Sequence, residues 1–114
     1  MEGFVKGDVI VIEFPFSDMK NTKRRPVLVL KVPRGEDIIV AQITSSSYDK
    51  SVELVITDSD FRNGSLKRES FVRIDKIASI ERSLIKYKIG SLKREKFNEI
   101  LERIFSFLSS DCTE

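Results

Sequence analysis

The chain has 114 residues, 40% hydrophobic and 33% charged, with 20 Lys and Arg against 18 Asp and Glu for a net charge of +2. This composition fits one folded domain, excludes a disordered polymer, and leaves too little bulk positive charge to argue by itself for nucleic acid. With no histidine and the single cysteine Cys112, a His general acid–base pair, a Ser-His-Asp triad, a His- or thiolate-ligated zinc and an internal disulfide are all excluded. No apolar run approaches the ~20 residues of a membrane helix and no signal-peptide pattern is visible, so a cytoplasmic protein is expected.

In chain order, short β-rich runs alternate with turn signals, the pattern of a small barrel or sandwich. Strands are predicted near Val9–Phe14, Val27–Val32, Ile38–Ile43, Val52–Ile56, Ser70–Ile74 and Lys76–Ile80, with a further extended segment near Ile85–Ile89. Pro15–Arg25 reads as a long polar connection of the kind that carries function. Val32-Pro-Arg-Gly35 fits a type I turn, with Pro second and Gly fourth. The period then changes: Phe97, Ile100, Leu101, Ile104, Phe105 and Leu108 follow a helical stripe expected to pack on the core, with Ser91 as its N-cap. Lys93 and Arg94 oppose the dipole of that helix, and Phe107 falls off the stripe, where it would face a partner subunit.

The basic residues cluster. Lys20, Lys23, Arg24 and Arg25 form one group at the foot of the Val27–Leu30 strand. A guanidinium held there stabilises a core poorly but holds a phosphate well. Lys67, Arg68, Arg73 and Lys76 form a second group, and Lys86, Lys88, Lys93, Arg94 and Lys96 a third; acidic residues interrupt both, as on a solvated mixed surface. Arg73, Asp75 and Lys76 read as a structural charge network.

A hairpin around Gly35 has a geometric consequence. Pairing Val27–Val32 with Ile38–Ile43 brings Pro26 opposite Thr44 to within a residue or two, making Arg25 and Thr44 cross-strand neighbours. Opposed residues in such a ladder lie ~5 Å apart, close enough to share one phosphate. Pro26 also biases Arg25 toward extended backbone. Of Phe14 and Phe16, one is expected in the core and the other is placed to stack on a base. Gln42 either reads a base edge or faces a neighbouring strand, and Ser45, Ser46 and Ser47 are turn residues, with Ser45 a phosphate-contact candidate.

Taken in order, Lys6-Gly-Asp8, Glu13-Phe-Pro-Phe-Ser-Asp18, Lys23-Arg-Arg-Pro-Val-Leu-Val-Leu30, Gln42-Ile-Thr-Ser45, Ser70-Phe-Val-Arg-Ile-Asp-Lys76 and Lys88-Ile-Gly-Ser-Leu92 resemble the MazF/PemK family of toxin endoribonucleases over nearly the whole chain. The resemblance implies a mainly β fold, an SH3-like small barrel with a C-terminal amphipathic helix, in one domain spanning residues 1–114. It implies a homodimer and a cognate antitoxin as partners, contact with operator DNA only through the antitoxin complex, and no cofactor or metal.

The implied activity is sequence-specific cleavage of single-stranded RNA, by 2′-hydroxyl attack, to 2′,3′-cyclic phosphate and 5′-hydroxyl ends. Arg25 and Thr44 match the family's catalytic residues, and Phe16, Thr22, Lys23, Arg24, Gln42 and Ser45 are the RNA-contact candidates. Three other readings compete: a barrel that grips nucleic acid without cutting it, a gyrase poison of the related CcdB type, and a degenerate toxin that only binds antitoxin and DNA. The Arg25-Pro26 and Thr44 pair argues against the gyrase poison.

Overall fold

The computed structural model describes residues 3–15 and 22–111. Seven antiparallel strands form one curled sheet: β1 (Asp8–Pro15), β2 (Thr22–Lys31), β3 (Asp37–Thr44), β4 (Glu53–Ile56), β5 (Phe61–Gly64), β6 (Ser70–Glu81) and β7 (Ile85–Leu92), followed by helix α1 (Arg94–Ser109). Their order across the sheet is β4-β6-β3-β2-β1-β7-β5, so β1 stands between the second strand of the chain and the last.

The unbroken apolar runs of β1 and β2 follow from burial on both faces, which removes the usual alternation. Val9, Leu28, Leu30, Ala41, Ile43, Val72 and Ile74 turn toward α1 and pack with its buried Phe97, Ile100 and Ile104. On the other face Ile10, Ile12, Val27, Val29, Ile38, Val40 and Ile80 form a second cluster. Each such side chain, fully buried, stabilises the fold by ~1.5–3 kcal/mol. β6 alternates instead: Ser70, Val72 and Ile74 are buried, whereas Phe71 and Arg73 are only half-buried on the opposite face.

Four expectations are corrected. Thr22–Arg25, read as part of a loop, is the start of β2 and pairs with β1 through Ile12–Arg25 to Pro15–Thr22. The two runs on either side of Asp75 are one continuous strand; its ladder with β3 is offset, Ala41 facing Ile77 but Ile43 facing Val72, so the irregularity is a bulge and not a break.

Ser91 does not cap the helix. It is the buried penultimate residue of β7, donating to Asp8 Oδ1 at 2.7 Å, and the cap position is Lys93, without a side-chain cap bond. The helical stripe also overreaches: Phe105 is 73% and Leu108 68% exposed, because the last turns of α1 run past the sheet. Phe107, off the stripe, is exposed as expected.

One strand, β5, has no signal in the sequence. Its Phe61-Arg-Asn-Gly64 lacks apolar alternation, and it holds to β7 by backbone approach. Gly64 adopts φ +76° and lies so close to Ile89 and Gly90 that a Cβ on either glycine would collide with opposing backbone.

Candidate active site

The β2–β3 ladder runs from Lys31–Ile39 to Val27–Gln42. Arg25 and Thr44 each lie two residues beyond the last pair of that ladder, at the same end of their two strands. There the strand ends open around a cavity of about 330 Å³ lined by Lys23, Arg24, Arg25, Pro26, Ile43, Thr44, Ser45, Leu66, Arg68 and Ser70. Among the described residues four cationic side chains and three hydroxyls line it, and no Asp or Glu does. A lining of that kind suits a phosphodiester, whose oxygens accept hydrogen bonds and carry negative charge.

Each side chain is positioned by its strand. Arg25 opposes the fully buried Ile12, and Gln42 opposes Val27; opposed residues share a face. Arg25, Gln42 and Thr44 therefore continue the face of the second apolar cluster at its edge, where it gives way to polar groups. Arg25 is half-buried, whereas Lys23 and Arg24 are exposed. The half-buried Thr44 closes β3: its Oγ1 accepts from the Ser46 amide at 3.3 Å and donates to the Ser46 carbonyl at 3.4 Å. Both contacts are long, so the hydroxyl gives little up in exchanging them for an incoming oxygen.

The loop after Thr44 is held from below. Glu53, buried at the start of β4, accepts from Ser47 Oγ and the Asp49 amide, each at 2.9 Å, and from the Tyr48 amide. Burial pushes the Glu53 carboxyl up, but these donors and the nearby Arg73 guanidinium outweigh it and hold the group below its ordinary value. Arg73 forms a two-pronged bond with Asp75, Nε to Oδ1 at 2.9 Å and NH2 to Oδ2 at 2.8 Å. Its guanidinium also lies 5.1 Å from the centre of the exposed Tyr48 ring. Of the network expected of Arg73, Asp75 and Lys76, the first two form an ion pair, and Lys76 forms none among the described residues.

The structure brings together Lys23, Arg24, Arg25, Thr44 and Ser45. Gln42 lies on the same strand face as Thr44 but does not line the cavity. The backbone of Thr22 pairs with Pro15, and Phe16 lies outside the described residues. Leu66, Arg68 and Ser70 are additions to the site that the sequence does not announce. Leu66 and Arg68 come from the segment after β5 and Ser70 opens β6, and a strand without an apolar pattern hides where its trailing loop will fold back.

A MazF-like toxin fold is what this sheet and helix define, and the sequence agrees. The family model for the PemK-like, MazF-like toxins of type II toxin–antitoxin systems matches residues 5–108, and the chain belongs to that family. Among solved structures it is similar to an endoribonuclease in complex with its cognate antitoxin from a mycobacterial species (TM-score 0.75, 13% identity, covering 97% of this chain and 100% of that one). It is also similar to the MazF of a MazE–MazF crystal form from Deinococcus radiodurans (TM-score 0.75, 18% identity, 97% and 100% covered). A third is the Mycobacterium tuberculosis toxin MazF-mt6 (TM-score 0.67, 23% identity, 90% and 99% covered). At these identities the likeness is one of fold. No curated protein matches the chain by sequence.

Proposed function

We propose that this chain is an endoribonuclease toxin that cuts single-stranded RNA without a metal, Arg25 and Thr44 carrying the reaction. The observation that carries this reading is the meeting of both residues at a cavity lined, among the described residues, by cations and hydroxyls and by no carboxylate. The ribose 2′-oxygen attacks the adjacent phosphorus, the bond to the 5′-oxygen breaks, and the products are a 2′,3′-cyclic phosphate and a 5′-hydroxyl. Solvent water takes the proton of the 2′-hydroxyl and returns one to the departing 5′-oxygen, so that no protein group changes its protonation state over the reaction. Arg25 neutralises the charge that builds on the non-bridging oxygens, and Thr44 donates its hydroxyl proton to one of them. Preorganised donors of this kind contribute ~3–4 kcal/mol each to lowering the barrier.

Lys23, Arg24 and Ser45 hold the flanking backbone, with Thr22, Gln42 and Phe16 as further RNA contacts. DNA lacks the attacking hydroxyl and is not cut by this route. Family membership supports a cognate antitoxin and a second copy of the chain as partners.

The test is incubation of the purified protein with a long single-stranded RNA in EDTA, mapping the ends by primer extension. Discrete cuts at a recurring short motif, absent with Arg25→Ala, are expected. Intact RNA despite measurable binding would replace this reading with a non-catalytic nucleic-acid module.

A further inference from the structure

A second cavity stands at the other end of β1. It measures about 520 Å³ and is lined by Lys6, Arg62 and Arg94 together with Asn98, over the apolar floor of Leu92 and Phe97. The three cations come from three parts of the chain: the segment before β1, strand β5 and the first residue of α1. Among the described residues no Asp or Glu lines this cavity, although acids nearly balance bases along the chain. Among the described residues none of the three forms an ion pair, whereas Lys86, Lys88 and Lys96 each meet a carboxylate.

Their placement also runs against local stability. Lys93 at the cap and Arg94 after it stand where a helix favours acidic side chains, and Lys93 makes no side-chain cap bond. Glu95 in the same turn offsets part of that cost, but it does not line the cavity.

We propose that Lys6, Arg62 and Arg94 form a second phosphate-binding site, which grips the RNA backbone a few nucleotides from the cut. This rests on the endoribonuclease reading. The two cavities are joined through the stretch 61–70: it supplies Arg62 to this one, and Leu66, Arg68 and Ser70 to the candidate active site. Along β1, Gly7 lies five residues from Ile12, the partner of Arg25, or roughly 17 Å at ~3.3 Å per residue. Single-strand grooves on small β folds cover ~4–16 nucleotides, so one RNA strand reaches both places. Asn98 adds a neutral donor beside the phosphate.

The test compares the wild-type protein with the triple variant Lys6→Gln, Arg62→Gln, Arg94→Gln. All three positions are exposed, and thermal melting verifies that the variant folds. The probes are 2′-O-methyl RNAs, which resist the proposed cleavage, about 5 and about 20 nucleotides long to bracket the reach of such grooves. Their affinities are titrated against NaCl. For the long RNA, the slope of log K against log salt should flatten by roughly 0.7 for each phosphate no longer neutralised, about 1.4–2.1 for two or three phosphates. Affinity for the short RNA should not change.

An unchanged slope and affinity for the long RNA would overturn the second site and leave the endoribonuclease reading standing. Wild-type protein that neither binds nor cuts RNA of any length would overturn both. Inorganic phosphate alone is the remaining arm. If it raises the wild-type melting temperature but not the variant's, while the RNA slopes agree, the site serves a free phosphate-bearing ligand and the RNA assignment is wrong.

Discussion

Arg25 shows how one side chain is made useful by its neighbours. The proline after it favours extended backbone, the buried Ile12 across the ladder fixes the strand beneath it, and the cavity leaves its guanidinium half-buried. Arg25→Lys keeps the charge but loses the planar fork, so single-turnover cleavage of RNA should fall ~10²–10³-fold, nearly as far as with Arg25→Ala. Thr44→Val should cost a similar factor, with the RNA dissociation constant changed far less than the rate, while Thr44→Ser retains most of the activity.

Glu53 makes a different kind of prediction. Its folded-state pKa is depressed, so the stability it contributes is fully present above its unfolded value, about 4.3, and is lost as pH falls through the folded value. Urea unfolding should therefore show Glu53→Gln less stable than the wild type at pH 7, with the gap narrowing as the pH falls below the unfolded value and through the lower folded one. A gap that stays constant with pH would mean that the carboxylate charge is not what holds the loop.

Among the elements, β1 and β7 are joined by a clamp. Asp8, 1% exposed, accepts from Ser91 Oγ and from the Val5 amide at 2.9 Å, and Lys88 lies 3.5 Å from its Oδ2. Lys88 is partly exposed, so its contribution is discounted, but the other two donors would be stranded by Asp8→Ala. That change should destabilise the protein by about 3 kcal/mol in urea, and Ser91→Ala by about 1 kcal/mol. Gly90→Ala tests β5: the new methyl meets the Asn63 carbonyl, so β5 should detach and its amides lose hydrogen-exchange protection before those of β2.

Legibility followed the same physics. The apolar runs of β1 to β4, β6 and β7 could be read, though not every boundary, and the hairpin around Gly35 brought the ends of β2 and β3 together, because a short reversal leaves little freedom in register. β5 could not, since its pairing depends on two glycines and a backbone approach that side-chain patterning does not record. The Phe105 and Leu108 end of the helical stripe misled for a related reason: periodicity reports a face, not how far the sheet extends beneath it. Arg68 joined the cavity through a fold-back that no local pattern encodes.

For the molecule as a whole, net charge says little and its distribution says much. Among the described residues the cavity of Arg25 and that of Lys6, Arg62 and Arg94 are lined by no carboxylate, while acids elsewhere in the chain bring the total to +2. RNA binding should accordingly weaken steeply with salt despite the mild overall charge, whereas EDTA should leave cleavage unchanged. No helix among the described residues is long and apolar enough to cross a membrane.

The position of β1 between β2 and β7 carries a consequence for biosynthesis. A ribosome delivers the chain from its first residue, yet β1 acquires one of its two neighbours, and β5 its only partner, when residues 85–92 emerge. Pairings so distant along the chain make folding slow, on the scale of milliseconds to seconds. A nascent chain stalled before β7 would carry Arg25 and Thr44 on an unfinished sheet. Stalled chains ending before Ile85 should therefore be protease-sensitive and unable to cut RNA, so that the proposed activity would appear only after residues 85–92 have joined the sheet.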